Sequence, residues 1–450
     1  MRQTTKDQYT RQSAIIQRLL HETAEEYGAM SGFVQRRSKM TAEVFVQVLV
    51  LGLLENREAT LNDLVQISAQ LGVEISEPGL HGRINELAVV LLAQVLASSL
   101  KYQAGGGAVP AGIAQRFAHI DIVDSTQIRL PKALAEHFAG HNSPGTEAML
   151  KMHLSIDYLS GRLNAVRIEA GRTPDQRCDL AVQQAQPGSL QLFDMGYVVL
   201  KYLREIDARE AYFLTPFKTS MHVYTQADAA KAVDLGTWLD ERAAEKGYVD
   251  EWVFIGAEER LPVRLVAFRL SEKQAAERRR RSKENARKKG RTVSQRHLRL
   301  LDWGIWITNA PADLLPPQAV PTLYRVRWQI ELFFKLCKSQ FGLAQVGHWR
   351  LPRVLSYLYA RLIGIVLFQS MIVPWRFHAG RELSPTKAFR IVRRRALAVL
   401  QAVHTRGDEL AAILADIQSD FLRFALKTPR KKSPSTFARL LELDALFGLA

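Results

Sequence analysis

Two runs dominate the N-terminal part of the chain. Val44–Leu54 and Ile84–Leu100 are long, apolar and poor in helix breakers, which predicts buried helices. Between them lies TLNDLVQISAQLGVEISEPGLHGRINE. Thr60 with Asp63 forms a variant capping box, Gly72 can end the first helix, and Ser76 with Pro78 can start the next. Helix, glycine turn and second helix resemble a helix-turn-helix reader of DNA, though the pattern alone favours an ordinary helical hairpin. Residues 1–105 thus read as helical, and QAGGGAVPAG at 103–112 reads as a linker.

Beyond the linker the period shortens to two. Phe117–Val123 alternates into Asp124, which the pattern places at the end of its strand. Met149–Asp157 and Arg162–Glu169 flank DYLSG, a hairpin turn. Ser189–Phe193 is a short apolar strand that stops at Asp194, Gly196–Asp207 reads as a helix, and Tyr212–Thr215 as a further strand. Strands followed by alternating helix and strand predict a mixed sheet flanked by helices. From Lys218 to Thr308 the pattern is irregular, with strands expected at Trp252–Ile255, Arg264–Leu270 and Trp303–Thr308. A helix is expected from near Pro317, and the chain beyond Arg350 is helical again, with basic clusters at Arg393–Arg395 and Arg430–Lys432.

Charge narrows the function. The 450 residues carry 61 Lys plus Arg against 45 Asp plus Glu, a net charge of +16. That excess favours a polyanionic partner, nucleic acid or an anionic membrane. A membrane is disfavoured, because the apolar segment Leu355–Val373 is interrupted by Arg361 and Gln369 and reads better as a buried helix. The first residues lack the apolar core of a signal peptide, so a cytoplasmic protein is expected. Two cysteines far apart, Cys178 and Cys337, supply neither a disulfide framework nor a zinc site. His119, His137, His141 and His153 likewise lack zinc-ligand spacing with cysteine support.

The chemistry-bearing positions lie on three elements. Ile120, Ile122 and Asp124 share one strand face, with Asp121 on the other. Asp194 follows a second apolar strand. In YRVRWQIELFFKLCK, Tyr324, Arg327, Glu331 and Lys338 are offset by 0, 3, 7 and 14. On one continuous α-helix they would fall within roughly 60° of each other. Ile330, Phe333, Phe334, Cys337 and Phe341 form the opposite, buried side. Each aspartate alone reads as an ordinary turn or cap residue. Together with Glu331 they make three carboxylates suited to hard divalent cations such as Mg2+.

These words resemble the bacterial insertion-sequence transposases with a DDE catalytic domain, the IS-four family. The signature Tyr-(2)-Arg-(3)-Glu-(6)-Lys is met by Tyr324, Arg327, Glu331 and Lys338. DST at Asp124, LKMHLSIDYLSGRL, DMGY at Asp194 and ITN before the last helix also match. Met195 and Pro216 stand where the family often has arginine. The resemblance runs from about Phe117 to Gly342. It implies an α+β multidomain protein with a ribonuclease H-like core, a mostly β insertion, and helical N- and C-terminal regions. It implies Asp124, Asp194 and Glu331 as catalytic and metal-binding residues holding two Mg2+ ions, with Mn2+ able to substitute. Tyr324, Arg327 and Lys338 would bind phosphate near the cut.

In that frame residues 1–105 are a helical DNA-binding domain. Residues 113–217 and 309–350 form the two parts of the core, 218–308 the insertion, and 351–450 a helical region for DNA contacts or dimerisation. The basic segment 278–291 reads as a solvated helix face or flexible arm, with Arg278, Arg279, Arg280, Arg281, Lys288 and Lys289 as DNA contacts. Trp303 first, then Trp306 and Trp252, are candidates for stacking on a flipped base, or else sheet core. The partners expected are the terminal inverted repeats and target DNA, with a homodimer in the DNA complex and no membrane. The function expected is cleavage of the element's ends and transfer of their 3′ ends. The rival readings are a nuclease of the same fold without strand transfer, and a catalytically silent DNA-binding descendant.

Overall fold

The computed structural model describes residues 2–35, 39–105, 109–406, 408–428 and 434–449. Residues 106–108 of the expected linker and the basic cluster Arg430–Lys432 lie outside the described residues. By packing, the chain forms two compact units, each assembled from three segments. One comprises Met1–Pro110, Ser125–Thr173 and Gln329–Lys432; the other comprises Ala111–Asp124, Pro174–Trp328 and Ser433–Ala450.

The frame is a large mixed sheet flanked by helices. Its strands are β1 (Ile120–Arg129), β2 (Met149–Asp157), β3 (Leu163–Ala170), β4 (Leu190–Leu192), β5 (Tyr212–Pro216), β6 (Val223–Tyr224), β7 (Tyr248–Ile255), β8 (Leu261–Arg269) and β9 (Trp303–Thr308). Their spatial order is β3-β2-β1-β4-β5-β9-β8-β7-β6. β4 lies parallel to both β1 and β5. β9 pairs antiparallel with β5 and with β8, and β7 antiparallel with β8 and β6.

In the first unit, Thr41 caps the helix Ala42–Glu55, and Val44–Leu54 is buried throughout. A helix apolar all round belongs in a core. It packs against the helices Pro385–Thr405 and Leu351–Ile372, and Leu351–Ile372 packs in turn against Glu86–Tyr102. Leu351–Trp375 is long and apolar enough by composition to cross a membrane, but 89% of its apolar window is buried, as in a core helix. The expected capping box of Thr60 and Asp63 forms, and Ser76 caps the next helix, Glu77–Arg83. Gly72 turns the chain between them at φ +75°, a conformation that favours glycine. β2 and β3 make the expected hairpin. Gln103 continues it as a backbone would, accepting from Leu163 N at 3.0 Å and donating to Leu163 O at 2.6 Å.

In the second unit, β1 enters beside β4, with Asp121 opposite Gln191. Gln191 Nε2 donates to the buried Asp121 carboxylate at 3.0 Å, on the strand face opposite Asp124. Arg264, 1% exposed, clamps the far strands. Its guanidinium bonds Asp250 twice, at 2.5 and 2.8 Å, and donates to the carbonyls of Ala310 and Leu315. A buried charge is tolerated only when its donors are matched in this way. The C-terminal helix Thr436–Phe447 supplies Asp444, whose carboxylate accepts from Gly112 N and Ile113 N at 2.7 and 2.8 Å.

Three local expectations change. The first strand does not end at Asp124 but continues to Arg129. Ile128, 1% exposed, resumes the alternation that the polar stretch interrupts. The region read as a helix from Gly196 is a 3-10 turn, Met195–Tyr197, followed by the helix Leu200–Asp207. The helix expected from Pro317 is broken into Val320–Tyr324, a 3-10 turn Arg325–Arg327, and Trp328–Ser339. In a 3-10 turn side chains three apart eclipse, so Tyr324 and Arg327 stand nearer in line than the 60° of a uniform helix.

Candidate active site

Two aspartates, a tyrosine and an arginine meet within the second unit. Asp124 occupies the middle of β1, its side chain 15% exposed. Arg327 reaches it from the 3-10 turn, Nη1 donating to Asp124 Oδ2 at 2.6 Å. The pair is nearly enclosed on both sides, so its attraction is little screened. Asp194 follows β4 and caps the turn Met195–Tyr197, accepting from Gly196 N at 2.7 Å. Both aspartates therefore issue from neighbouring parallel strands, which is why a sheet can present them together.

Tyr324 ties the group together. Burial pushes its phenol well above the usual tyrosine range; Arg327 opposes that shift, and Asp194 and Asp124 add to it. The phenol stays protonated at any working pH and remains a hydrogen-bond donor. Arg327 lies over its ring at 5.9 Å, and the Trp306 ring centroid lies 6.4 Å away on β9.

Asp175 extends the carboxylate set. A side-chain carbon on Gly196 would meet the carboxylates of Asp194 and Asp175 at 2.9 and 3.3 Å, so both crowd this glycine. Nothing in the string TPDQRCD marks Asp175 as chemical, and only the packing of two 3-10 turns brings it there.

Glu331 and Lys338 lie on Trp328–Ser339, within the first unit. The helix buries Ile330, Phe333, Phe334 and Cys337, as its apolar face predicts. Lys338 is half-buried, its Nζ donating to Gln127 O at 2.9 Å, and burial lowers its pKa. Among the described residues, no group of three or more His, Cys, Asp and Glu side chains is gathered to hold a metal ion. The donors nonetheless suit Mg2+ in kind. They are carboxylate oxygens, and Mg2+ characteristically takes one or two of them together with waters and substrate phosphate.

The basic segment is a helix, Glu272–Lys288, opened by a capping box at Ser271. Its arginines are largely engaged. Arg278 donates to the Trp303 carbonyl at 2.9 Å, and Arg279 pairs with Asp302 and Glu272. Arg280 pairs with Glu277 and Glu284, and Arg281 with Glu277. Lys283, Arg287, Lys288, Lys289 and Arg291 carry no carboxylate partner among the described residues. Of the tryptophans, Trp303 is 2% exposed and fills the sheet core, Trp306 is half-buried, and Trp252 is 53% exposed. His153 is fully buried beside Glu169, while His137 and His141 are exposed.

Residues 117–367, more than half the chain, match the transposase DDE domain. The chain belongs to the DDE transposase family. Its relatives are bacterial insertion-sequence transposases. The transposase for insertion sequence element IS231B of Bacillus thuringiensis subsp. berliner is 28% identical over 417 residues, 87% of this chain and 86% of that protein. That for IS1151 of Clostridium perfringens is 24% identical over 92% of this chain and 93% of that protein. Among solved structures, the piggyBac transposase synaptic complex with hairpin DNA aligns at a TM-score of 0.46 and 10% identity, over 94% of this chain and 88% of that one. The matched DDE span contains β1 through β9, the Asp124–Arg327 pair, Asp194, Tyr324, Glu331 and Lys338.

Proposed function

We propose that this DDE transposase binds the terminal inverted repeats of an insertion sequence, brings two ends together as a homodimer, cuts them, and joins the freed 3′ ends to target DNA. The observation that carries this reading is the Asp124–Arg327 pair beside Asp194 and Tyr324, inside the span that matches the DDE domain. The strand order β3-β2-β1-β4-β5, with β1, β4 and β5 parallel, supports a ribonuclease H-like core.

Asp124, Asp194 and Glu331 would hold Mg2+, or Mn2+ in its place. When bound, two such ions supply the positive charge that activates a water or 3′-hydroxyl and steadies the leaving oxygen of a phosphodiester. Glu331 follows Arg327 by four residues, about one helical turn, so the residue that grips Asp124 sits next to the third carboxylate along the chain. Arg327 orients Asp124, and its other N–H groups can donate to a phosphate oxygen. Tyr324, held as a phenol, donates a hydrogen bond to the strand without taking part in proton transfer. Lys338 adds a cation on the helix that carries Glu331. The capped helices Leu61–Gln70 and Glu77–Arg83 suit a helix-turn-helix that contacts the repeats, and the lysines of Glu272–Lys288 suit phosphate contacts in the insertion.

The test is Mg2+-dependent cleavage of end DNA by the full chain. Glu331→Gln and Asp124→Asn are expected to bind the ends and to cut them at least about a thousandfold more slowly. Undiminished cutting by Glu331→Gln would remove it from the reaction. A separate assay supplies pre-cut ends; cutting without joining would reduce the activity to that of a nuclease.

A further inference from the structure

A cavity of about 720 Å3 opens within the first unit. That volume is in the range of small-molecule sites. Its floor is apolar, made by Ile128, Leu130, Leu150 and Leu343. Part of its polar wall comes from the helix Leu351–Ile372, and Arg57, Glu58, Thr60, Glu77, Gln345 and His348 supply the rest. Arg353, Tyr357 and Arg361 recur every four residues, so they fall along one stripe and all three line the space. Arg353 and Arg361 lie 5.5 and 5.9 Å from the centre of the Tyr357 ring.

The lining carries Arg57, Arg353 and Arg361 against Glu58 and Glu77, an excess of one cation. Arg361 is 7% exposed, and among the described residues its guanidinium donates only to the carbonyls of Gln345 and Arg57, at 2.9 and 3.0 Å. Its Nε has no hydrogen-bond partner. Neither Arg353 nor Arg361 pairs with a carboxylate among the described residues. Glu58, also in the wall, is engaged by Arg57 at 3.4 Å and by Gln345 at 3.0 Å. Burial lowers the Arg361 pKa to about 10, the response of a cation lacking a counter-charge. Next to the cavity, His348 lines the space and stacks on Trp349, ring centroids 5.8 Å apart and planes 13° from parallel, with Trp349 64% exposed. An exposed flat ring beside cations over an apolar floor is the chemistry that holds an unpaired base and its phosphate.

We propose that this cavity receives one nucleotide of an unpaired DNA strand: phosphate on Arg353 and Arg361, base against Tyr357 and the apolar floor, and a neighbouring base on Trp349. The choice of DNA as the polyanion rests on the function proposed above. The geometry would equally accept a free nucleotide, so the experiment carries both.

The full chain, without divalent cation, is titrated against three probes. These are a short single strand containing 2-aminopurine, the duplex terminal repeat, and 2-aminopurine deoxyribonucleoside monophosphate. Arg353→Gln and Trp349→Ala, both at exposed or half-exposed positions, are each expected to weaken single-strand binding at least about tenfold and to abolish the 2-aminopurine quench. Duplex binding is expected to change less than about twofold, and the thermal midpoint to stay in place. Unchanged single-strand affinity in both variants overturns the proposal while leaving the transposase reading intact. Equal affinity for the monophosphate and the strand overturns the strand as occupant. Binding of neither DNA form overturns this proposal together with the function on which it rests.

Discussion

At the scale of single residues, the Asp124–Arg327 pair decides the most. Arg327 does two things whose loss separates in experiment: it pairs with a nearly enclosed carboxylate, and it presents a fork of donors. Arg327→Gln leaves Asp124 without its cation at a side chain 15% exposed, and is expected to cost roughly 1–3 kcal/mol of stability, read from the urea midpoint. Arg327→Lys restores charge but not the planar fork, so it should recover most of that stability while cleavage stays depressed. Equal activity in Arg327→Lys and the parent chain would mean that charge alone matters here. The two aspartates were legible in the sequence because each directly follows an apolar run, although the strand bearing Asp124 continues past it to Arg129. Asp175 was not, since its approach to Asp194 depends on how two short turns pack. Arg353, Tyr357 and Arg361 were equally silent, because a four-residue stripe on a buried helix looks like ordinary amphipathicity until the empty space beside it is visible.

At the scale of elements, the basic helix Glu272–Lys288 divides into two populations. Sequence density alone treats its cations as equivalent contacts for phosphate. The folded helix spends Arg279, Arg280 and Arg281 on Asp302, Glu272, Glu277 and Glu284, whereas Lys288 and Lys289 have no carboxylate partner among the described residues. Lys288→Gln and Lys289→Gln should each lower the slope of log K against log salt for end DNA by about 1. Arg280→Gln should leave the slope near its parent value, because its charge is already matched by carboxylates. Equal slope changes across the set would show that the ion pairs open on binding. The helix itself was foreseeable, for Ser271 and Gln274 make a capping box. The interruption at Arg325–Arg327 was not: nothing in YRVRW is a breaker, and the tighter turn comes with Val326, which is fully buried.

At the scale of the whole molecule, the alternation of apolar positions foretold the helical ends and the mixed sheet between them, but not which segments would share a core. Each compact unit draws on three stretches of chain, and hydrophobic period carries no information about such long-range pairing. The consequence is sharp for residues 1–105. The helix Ala42–Glu55 buries every side chain from Val44 to Leu54, and its main partners, Pro385–Thr405 and Leu351–Ile372, come from the far end of the sequence. Glu86–Tyr102 likewise packs on Leu351–Ile372 and on β3. A fragment of residues 1–105 would therefore expose several Leu and Val side chains, each worth about 1.5–3 kcal/mol when buried, against a folded-domain stability of only about 5–15 kcal/mol. Expressed alone, it should show helical circular dichroism without a cooperative thermal transition, and it should bind hydrophobic dye. Adding residues 351–432 in the same cell should restore a cooperative transition and remove the dye signal. A sharp transition in the isolated fragment would mean that the helices of residues 1–105 suffice for their own core, and that their packing against the C-terminal helices is a docking of finished parts.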